Sequence, residues 1–264
     1  MVGKGRRESE MFRFYFVIIM NLFRLPYILP KMNYMIKHCE KYSIEKRYAV
    51  VKKLIRIMKR TGTIFTRSFG SEQLPKEGGY IMFANHQGKY DALSVVHTHT
   101  KPCSIVMDEA RSHTILTSQV IDLVDGKRMK KDDLRQSMQI ILEMAQETVK
   151  GKIFLIFPEG GYFYNKKNTL SEFKAGCFKS AMKAKVPIVP VALIDSYKAF
   201  EGFYFSPIRT QVHYLKPIPY EEYQGMKTVE VAELVKERIE EKIEKVLAER
   251  KRRYGKWCSL GHNS

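Results

Sequence analysis

A histidine and an aspartate five residues apart form the clearest candidate for acid–base chemistry in this chain of 264 residues. They lie in the stretch Phe83-Ala84-Asn85-His86-Gln87-Gly88-Lys89-Tyr90-Asp91. On a regular helix, five residues would turn Asp91 by about 140° from His86, so the side chains need a turn to meet, and Gly88 can supply it. Asp91 could then accept a hydrogen bond from one ring nitrogen and leave the other free as a general base. A lone histidine near an aspartate is also common at capping and surface positions.

The chain lacks two other catalytic patterns. It has no Gly-x-Ser-x-Gly serine elbow and no His-x-x-x-His zinc pair. A water molecule or a substrate hydroxyl is therefore the expected proton donor to His86.

Two predicted strands would position this chemistry. Residues 79–84 are a short apolar run that predicts a buried strand, so His86 follows a strand end. Residues 153–157 are entirely apolar, as expected for a strand covered on both faces, and lead into Pro158-Glu159-Gly160-Gly161. Because ligands in open α/β sheets bind outside the carboxyl ends of strands, we expect both strand ends at one site.

Other segments extend the predicted sheet. Strands are predicted at residues 63–69, 104–107, 120–124, 188–193 and 210–215. Pro187 and Pro190 indicate that the strand at 188–193 lies near an edge or a bulge, because proline cannot donate to a ladder.

Several helices are predicted beside these strands. One starts at Ala92, and another covers residues 133–150 with a capping box of Asp133 and Gln136. The expected buried face of the second helix is Leu134, Met138, Ile141, Leu142, Ala145 and Val149. A third, amphipathic helix begins at Thr228 and should pack on the domain. Its end, residues 250–253 with Trp257 nearby, is either a solvated tail or a second membrane contact.

The amino-acid composition of the chain restricts the kinds of molecule that it can bind. Lys and Arg number 46 against 28 Asp and Glu, a net charge of +18 that favours an acidic partner such as anionic lipid, a phosphorylated co-substrate or nucleic acid. The chain has four cysteines, which lie far apart in the sequence, at Cys39, Cys103, Cys177 and Cys258. This spacing predicts neither a disulfide framework nor a zinc site and favours a reducing, cytoplasmic-side location. We expect no metal site, including at His97 and His99.

The amino-terminal region predicts contact with a membrane surface. Residues 11–25 are mostly apolar, and a helix of about 15 residues would be about 22 Å long, shorter than the ~30 Å hydrocarbon core. We therefore expect this helix, ending before Pro26 and Pro30, to lie in the membrane rather than cross it. A signal peptide and a buried core helix are the alternatives. Residues 44–58 add a basic amphipathic helix, and 15 basic against 4 acidic side chains through residue 60 favour an anionic bilayer.

Four blocks in sequence order carry a family resemblance. They are Asn85-His86 with Asp91, Phe157-Pro158-Glu159-Gly160, Phe173-Lys174-x-Gly176 and Val186-Pro187-Ile188-Val189-Pro190-Val191. Together they resemble the glycerophospholipid acyltransferase family, which includes bacterial 1-acylglycerol-3-phosphate (lysophosphatidic acid) acyltransferases. The resemblance covers roughly residues 60 to 220. It implies an α/β fold with a mixed, largely parallel sheet flanked by helices, preceded by an amino-terminal membrane-associating helical segment.

The resemblance implies a reaction, and together with the patterns at the two ends of the sequence it divides the chain into three parts. A fatty acyl group would pass from a thioester, acyl-CoA or acyl carrier protein, to a glycerolipid hydroxyl, with no permanently bound cofactor. Residues 61–222 would form the catalytic domain, residues 1–60 the membrane-associating helices, and residues 223–264 a packed carboxyl-terminal helix with a basic tail. The expected partners are the acyl donor, a lysophospholipid acceptor and the anionic lipids of the cytoplasmic membrane face, where the protein would be peripheral or monotopic, with no nucleic acid.

Residue roles follow from the same resemblance. His86 would take the proton from the acceptor hydroxyl and Asp91 would stabilise the imidazolium that forms. The expected substrate-binding residues are Asn85, Glu159, Gly160, Gly161, Lys174, Gly176, Lys127 and Arg128. Backbone amides near Gly160, Gly161 or Gly176 are candidates to stabilise the oxyanion. Glu159 can instead be a structural carboxylate, and Lys174 an exposed lysine.

Two departures from the family blocks concern phosphate binding. The family usually has Gly-Thr-Arg or Gly-Ser-Arg where this chain has Gly160-Gly161-Tyr162, and Arg128 is displaced by two positions from the usual Asp-Arg. The cations that could compensate are Lys127, Arg128, Lys166, Lys167 and Lys174. Alternatively, the acceptor is another lysophospholipid, an aminoacyl lipid or a glycolipid.

Three other classes of function remain to be distinguished. A nucleic-acid-binding protein would explain the charge but not the two strand-end motifs. A lipid or thioester hydrolase would use the same residues with water as the acceptor. A non-catalytic membrane adaptor would not need His86.

Overall fold

The computed structural model describes residues 12–130, 132–162, 166–200 and 206–260, with side chains described through residue 253. Met11 and the Trp257 side chain, which figure in the sequence predictions, lie outside this description. The strands are β1 (Ile64–Phe69), β2 (Ile81–Ala84), β3 (Ser104–Asp108), β4 (Lys127–Met129), β5 (Phe154–Ile156), β6 (Ile188–Ile194) and β7 (Ile208–Tyr214).

The helices lie between and around these strands. They are α1 (Phe12–Asn21), α2 (Leu25–Lys37), α3 (Ile44–Thr61), α4 (Asp91–Thr98), α5 (Glu109–Ser112), α6 (Thr117–Leu123), α7 (Leu134–Val149), α8 (Lys179–Ala184), α9 (Tyr220–Tyr223) and α10 (Thr228–Leu260). Short 3₁₀ segments include Leu22–Arg24, Ala175–Phe178 and Ser196–Phe200.

In the described residues the strands form one sheet of seven in the order β1-β7-β6-β2-β5-β3-β4. Every pairing is parallel except that between β6 and β7. The predicted mixed, largely parallel sheet is therefore confirmed. All residues of β2, β5 and β6 are buried, as required of central strands covered on both faces.

Helices cover the two faces of the sheet. Alternation along β2 sends Met82 to one face, where α3, α4 and α6 pack, and Phe83 to the other, where α7, α8 and α10 pack. The apolar stripes predicted for α3 and α10 are confirmed. The α3 residues Tyr48, Val51 and Ile55 and the α10 residues Val231, Val235, Ile239 and Ile243 are all buried.

The strand predicted at residues 120–124 is wrong. Residues 117–123 form the helix α6, and the strand of this region is β4, at Lys127–Met129. A short apolar run has the same composition in a buried helix as in a strand, so periodicity cannot separate them. Gly126 lies between the two elements. Glycine is needed at this position because a Cβ there would lie 2.7 Å from the backbone oxygen of Ile105.

The helix predicted at residues 133–150 is confirmed as α7, but its details differ. Asp133 caps it by accepting a hydrogen bond from the Gln136 backbone N–H at 2.9 Å. The other half of the predicted capping box is absent in this part of the structure, since Gln136 Oε1 accepts from Lys130 N–H. The predicted buried face is largely wrong, because only Ile141 and Ala145 of it are buried. Its other four residues are exposed, by 85% at Leu134, 37% at Met138, 39% at Leu142 and 66% at Val149.

The edge position predicted from Pro187 and Pro190 is wrong, because β6 is the third strand of the sheet. The alternative, a bulge, describes the region better. Antiparallel pairing with β7 begins only at Val191, and a separate bridge joins Ile188 to Ile218. Pro190 thus lies between the Ile188–Ile218 bridge and the start of the ladder with β7, where a residue without an N–H is tolerated.

The amino-terminal helix does not end before the prolines, as the sequence predicted. Helix α1 continues through a 3₁₀ turn into α2, where Pro26 lies in the first turn and needs no N–H partner. The combined segment, Phe12–Lys37, has 26 residues and is long and apolar enough to cross a membrane by length and composition. A straight helix of that size would be about 39 Å long, so our expectation that it is too short to cross is wrong.

Candidate active site

Two adjacent strand ends form the candidate site. Because β2 and β5 are parallel neighbours, the residues that follow them lie at the same edge of the sheet. The His86 ring stacks on the Phe157 ring, with centroids 4.3 Å apart. The predicted meeting of the two motifs is therefore confirmed in the structure.

The predicted turn brings His86 to Asp91. Asp91 is the first residue of α4, and its N–H donates to the Gly88 carbonyl at 3.3 Å. Gly88 has no left-handed conformation, so the turn does not require the freedom of glycine at this position. His86 Nδ1 and Asp91 Oδ2 are 2.7 Å apart. The same oxygen accepts hydrogen bonds from the backbone amides of Gln87 and Gly88.

This arrangement determines which nitrogen of His86 is available. A carboxylate accepts hydrogen bonds, so Nδ1 donates to Asp91 and Nε2 carries the lone pair of the neutral ring. No described residue hydrogen-bonds Nε2, and the His86 side chain is 18% exposed whereas that of Asp91 is fully buried. The pair can act as a base with an orienting carboxylate.

Glu159 joins the two loops. One oxygen accepts from the His86 backbone N–H at 2.6 Å and the other from the Ser171 backbone N–H at 2.8 Å. Burial raises the pKa of Glu159, and the hydrogen bonds from His86 and Ser171 oppose that rise. Both oxygens thus accept from main-chain N–H groups, one at His86 and one at Ser171, and this ties the two segments together.

Asn85 is held by the central sheet. Its side-chain amide donates to the Leu193 carbonyl at 3.0 Å and accepts from the Leu193 N–H at 2.7 Å. The residue before His86 is therefore bonded to the end of β6, and its amide is engaged within the protein.

The glycines and Lys174 form a second wall near Glu159. Gly160 has φ of +67°, a conformation that favours glycine, and the end of the Lys174 side chain lies over it, with Cε 2.9 Å from where a Cβ would be. The Gly160 N–H donates to Phe157 O and the Lys174 N–H to Pro158 O. Gly161 follows directly, and Gly176 lies in the 3₁₀ segment Ala175–Phe178, with open space where a Cβ would be.

Lys127 and Arg128 lie in ion pairs. Lys127 Nζ lies 3.0 Å from a Glu143 carboxylate oxygen and also contacts Glu147. Arg128 lies 2.7 Å from Asp122. The structure thus places both of these sequence-predicted cations against carboxylates of α6 and α7.

Sequence reasoning missed two cations beside the site. The Arg111 guanidinium lies 5.6 Å from the centre of the Tyr162 ring, which meets the His86 ring edge-on at 4.8 Å. Burial lowers the pKa of Lys89, and the nearby charge of Arg111 lowers it further. Arg111 follows the end of β3, so a search of every strand end at this edge would have found it.

No group of three or more His, Cys, Asp or Glu among the described residues is arranged to hold a metal ion.

Comparison with known proteins assigns the family. Residues 65–194, about half of the chain, match the family model described as Acyltransferase. The 1-acyl-sn-glycerol-3-phosphate acyltransferase of Saccharomyces cerevisiae is 25% identical over 193 residues, which cover 72% of this chain and 63% of that protein. A probable 1-acyl-sn-glycerol-3-phosphate acyltransferase of Mycoplasma pneumoniae is 28% identical over 169 residues, 62% of either chain. The chain thus spans less than two thirds of each of these relatives.

The fold is that of a solved member. The crystal structure of the 1-acyl-sn-glycerophosphate (LPA) acyltransferase PlsC from Thermotoga maritima superposes with a TM-score of 0.70 at 20% identity. The match covers 90% of this chain and 95% of that one. The resemblance inferred from the four sequence blocks is therefore confirmed in family and in fold.

Proposed function

We propose that this protein is an O-acyltransferase that moves a fatty acyl group from a thioester to the free hydroxyl of 1-acylglycerol-3-phosphate. The observation that carries the proposal is the His86 ring, which Asp91 orients through Nδ1 while Nε2 lacks a hydrogen-bond partner among the described residues. The names of the two relatives support the same reaction.

In this mechanism His86 Nε2 removes the acceptor hydroxyl proton as the oxygen attacks the thioester carbonyl. A C–O bond forms and the carbonyl electrons move to oxygen. When the tetrahedral intermediate collapses, the C–S bond breaks and the thiolate takes the proton from the His86 imidazolium. Asp91 stabilises that cation, and no covalent enzyme intermediate is needed.

The oxyanion of the intermediate requires a donor near His86. The Gly160 amide already donates to Phe157 O. We therefore favour Gly161, whose N–H has no hydrogen-bond partner among the described residues and which directly precedes Tyr162, the ring in contact with His86.

For the acceptor phosphate we favour Arg111 and Lys89 over the cations named from sequence. Lys127 and Arg128 are held by carboxylates of α6 and α7. Arg111 contacts the Tyr162 ring beside His86, and its charge is near enough to Lys89 to lower the pKa of that lysine. Two neighbouring cations at the edge that carries His86 favour a dianionic phosphate between them, and the arginine fork suits phosphate oxygens. These cations would take the role of the arginine that Tyr162 replaces.

We further propose that the protein works at the cytoplasmic face of the membrane, bound to anionic lipid through residues 1–60, with residues 61–222 catalytic and residues 223–264 packed on them. Support comes from α1, α2 and the turn between them, where Ile19, Phe23 and Tyr27 are at least 66% exposed. Exposed apolar side chains next to a basic region provide two signals for a bilayer surface.

Acyl transfer from labelled acyl-CoA, or from acyl carrier protein, to lysolipids with and without a terminal phosphate tests the activity. We expect product from lysophosphatidic acid, and the better donor identifies the carrier. Equal release of free fatty acid with and without acceptor would indicate a hydrolase instead. Product only from lysolipids without the phosphate would show that Tyr162 marks a different acceptor.

Arg111→Gln tests the phosphate assignment. We expect the KM for lysophosphatidic acid to rise by about tenfold or more, because a charge-assisted contact contributes roughly 1.5 to 3 kcal/mol. Arg67→Gln, at an exposed position of β1, is the matched control and should leave KM unchanged. An unchanged KM in the Arg111 variant would remove this residue from the acceptor site.

Membrane attachment is tested by the double substitution Phe23→Asp and Tyr27→Asp. Vesicle co-sedimentation with anionic lipid should fall by about tenfold or more, since two exposed apolar anchors become charged. Val229→Asp replaces a 56% exposed apolar residue on α10 and is the control. Equal losses in both variants would argue against a specific amino-terminal contact.

A further inference from the structure

A buried polar network holds Gln87, the residue that follows His86. Gln87 Nε2 donates to the Leu193 carbonyl at 2.8 Å and to Asn168 Oδ1 at 3.0 Å. Gln87 Oε1 accepts from the Ser196 N–H at 2.8 Å. The Gln87 backbone N–H in turn donates to the Asp91 carboxylate. The side chain of Gln87 therefore connects the His86–Asp91 pair to the segment after β6.

Asp195 is the charged centre of that segment. It has φ of +60°, its side chain is 6% exposed, and its N–H donates to Asn168 Oδ1 at 2.9 Å. Burial would raise the pKa of this carboxyl, but hydrogen bonds from Asn168, Arg250 and Lys198 together lower it. Asp195 is thus a buried anion whose position depends on the groups that neutralise it.

Arg250 is one of these groups, and it comes from a distant part of the chain. Its Nη1 donates to Asp195 Oδ2, across 55 residues of sequence, from the last turns of α10. Two other ion pairs of α10 have exposed carboxylates. Lys236 pairs with Glu172, whose side chain is 92% exposed, and Arg238 pairs with Glu222, whose side chain is 42% exposed. Exposed pairs contribute little, whereas removing the partner of a buried carboxylate is costly.

We infer that Arg250 is a positioning residue for the catalytic loop. By neutralising Asp195 it holds the 195–197 turn in place, the amide of Ser196 then holds the Gln87 side chain, and Gln87 holds the loop that carries His86. The contribution of Arg250 to turnover rests on the proposed acyl transfer, whereas its effect on the loop does not.

The test compares Arg250→Met with Arg238→Met, which removes a surface ion pair from the same helix. We expect Arg250→Met to lower kcat by about tenfold, because a small displacement of the base weakens catalysis, while the KM for both substrates stays within about twofold. Arg250→Lys should restore most of kcat, and Arg238→Met should leave it unchanged.

Hydrogen–deuterium exchange of the purified full chain supplies a readout that needs no substrate. Backbone amides of residues 86–90 and 195–197 should exchange faster in Arg250→Met than in the wild type or in Arg238→Met. If the Met variant does not fold, Arg250→Gln, which removes the charge but keeps an N–H donor, is measured in the same way.

The outcomes separate this inference from the proposed reaction. Faster loop exchange with a selective fall in kcat supports positioning by Arg250. Unchanged exchange and unchanged kcat overturn it, as does an equal effect of Arg238→Met. A wild-type protein without acyl transfer would overturn the proposed function, while the exchange data would still decide whether Arg250 orders the loop.

Discussion

Two histidines at opposite edges of the sheet have the same tautomer and different surroundings. His86 follows the carboxyl end of β2, donates from Nδ1 to Asp91, and leaves Nε2 without a partner among the described residues. His99 lies before the amino end of β3, donates from Nδ1 to the Lys101 carbonyl, and accepts at Nε2 from the Tyr80 hydroxyl at 2.7 Å. It is completely buried, and burial lowers its pKa to about 4.

The difference shows what makes a histidine available for chemistry. Both rings are oriented by an acceptor at Nδ1, so orientation alone does not distinguish them. The available Nε2 and the carboxylate that can stabilise an imidazolium occur only at His86, whereas His99 faces Lys52 and Lys101, whose charges oppose its protonation. We therefore expect His86 to determine activity and His99 to determine stability.

The largest expected effect is that of His86→Ala. Loss of the general base should lower kcat by about 10² to 10⁴. The measurement is acyl transfer by the purified variant, with circular dichroism to confirm folding. His38→Ala, which removes a partly exposed histidine of the amino-terminal region, serves as the control. Near-normal turnover of His86→Ala would place the base elsewhere.

The second-largest effect is expected from Asp91→Asn, which tests whether the Asp91 carboxylate is what distinguishes His86 from His99. Asp91→Asn keeps an acceptor for Gly88 N–H but cannot stabilise the imidazolium, so we expect kcat to fall about 10²-fold or more in a folded protein. Asp133→Asn, an exposed helix cap at which asparagine is equally suitable, is the matched control. A fully active Asp91 variant would contradict the orienting role.

The smallest effect on activity, and the clearest on stability, is expected at His99. Its folded pKa of about 4 lies below the usual value near 6.5, so the unfolded chain binds this proton more readily. The contribution of neutral His99 to the free energy of unfolding is therefore complete above about pH 6.5 and is lost as the pH falls towards 4. At pH 4.5 the free energy of unfolding should be lower by about 2 to 3 kcal/mol.

Denaturant unfolding at pH 7 and pH 4.5 measures this dependence. His99→Gln removes the titrating group, so its free energy of unfolding should decrease less with acidification than that of the wild type. Turnover at pH 7 should stay within about twofold. An equal decrease in both proteins would assign the dependence to His97 and His213, whose pKa values burial also lowers to about 4.

Much of this architecture was predictable because local patterns agree with the global fold. The apolar runs of β2, β5 and β6 and the stripes of α3 and α10 correspond to buried faces. The position of His86 and Glu159 at one edge followed from the parallel sheet. Residues 120–124 were not predictable, because a short apolar run suits a buried helix as well as a strand.

The rest of the candidate site depends on contacts between distant segments. Arg111 contacts Tyr162, which is 51 residues away in the sequence, and Arg250 contacts Asp195, which is 55 residues away. Neither contact follows from periodicity or motif spacing. The engagement of Lys127 by Glu143 and Glu147 is likewise tertiary, because β4 lies beside α7 only in the folded sheet. The position of a family sequence block therefore favoured Lys127 and Arg128, because no block points to Arg111.

The parallel pairing of β1 with β7 also bears on how the chain is synthesised. Residues 64–69 can complete their ladder only with residues 208–213, for example through Thr66 and Thr210, which are 144 positions apart. Loops of that length close slowly, and the chain is made from its amino end. The apolar strands β2 and β5 therefore leave the ribosome well before their sheet and α10 can cover them, which makes the nascent chain a natural client for chaperones or for early contact with a bilayer.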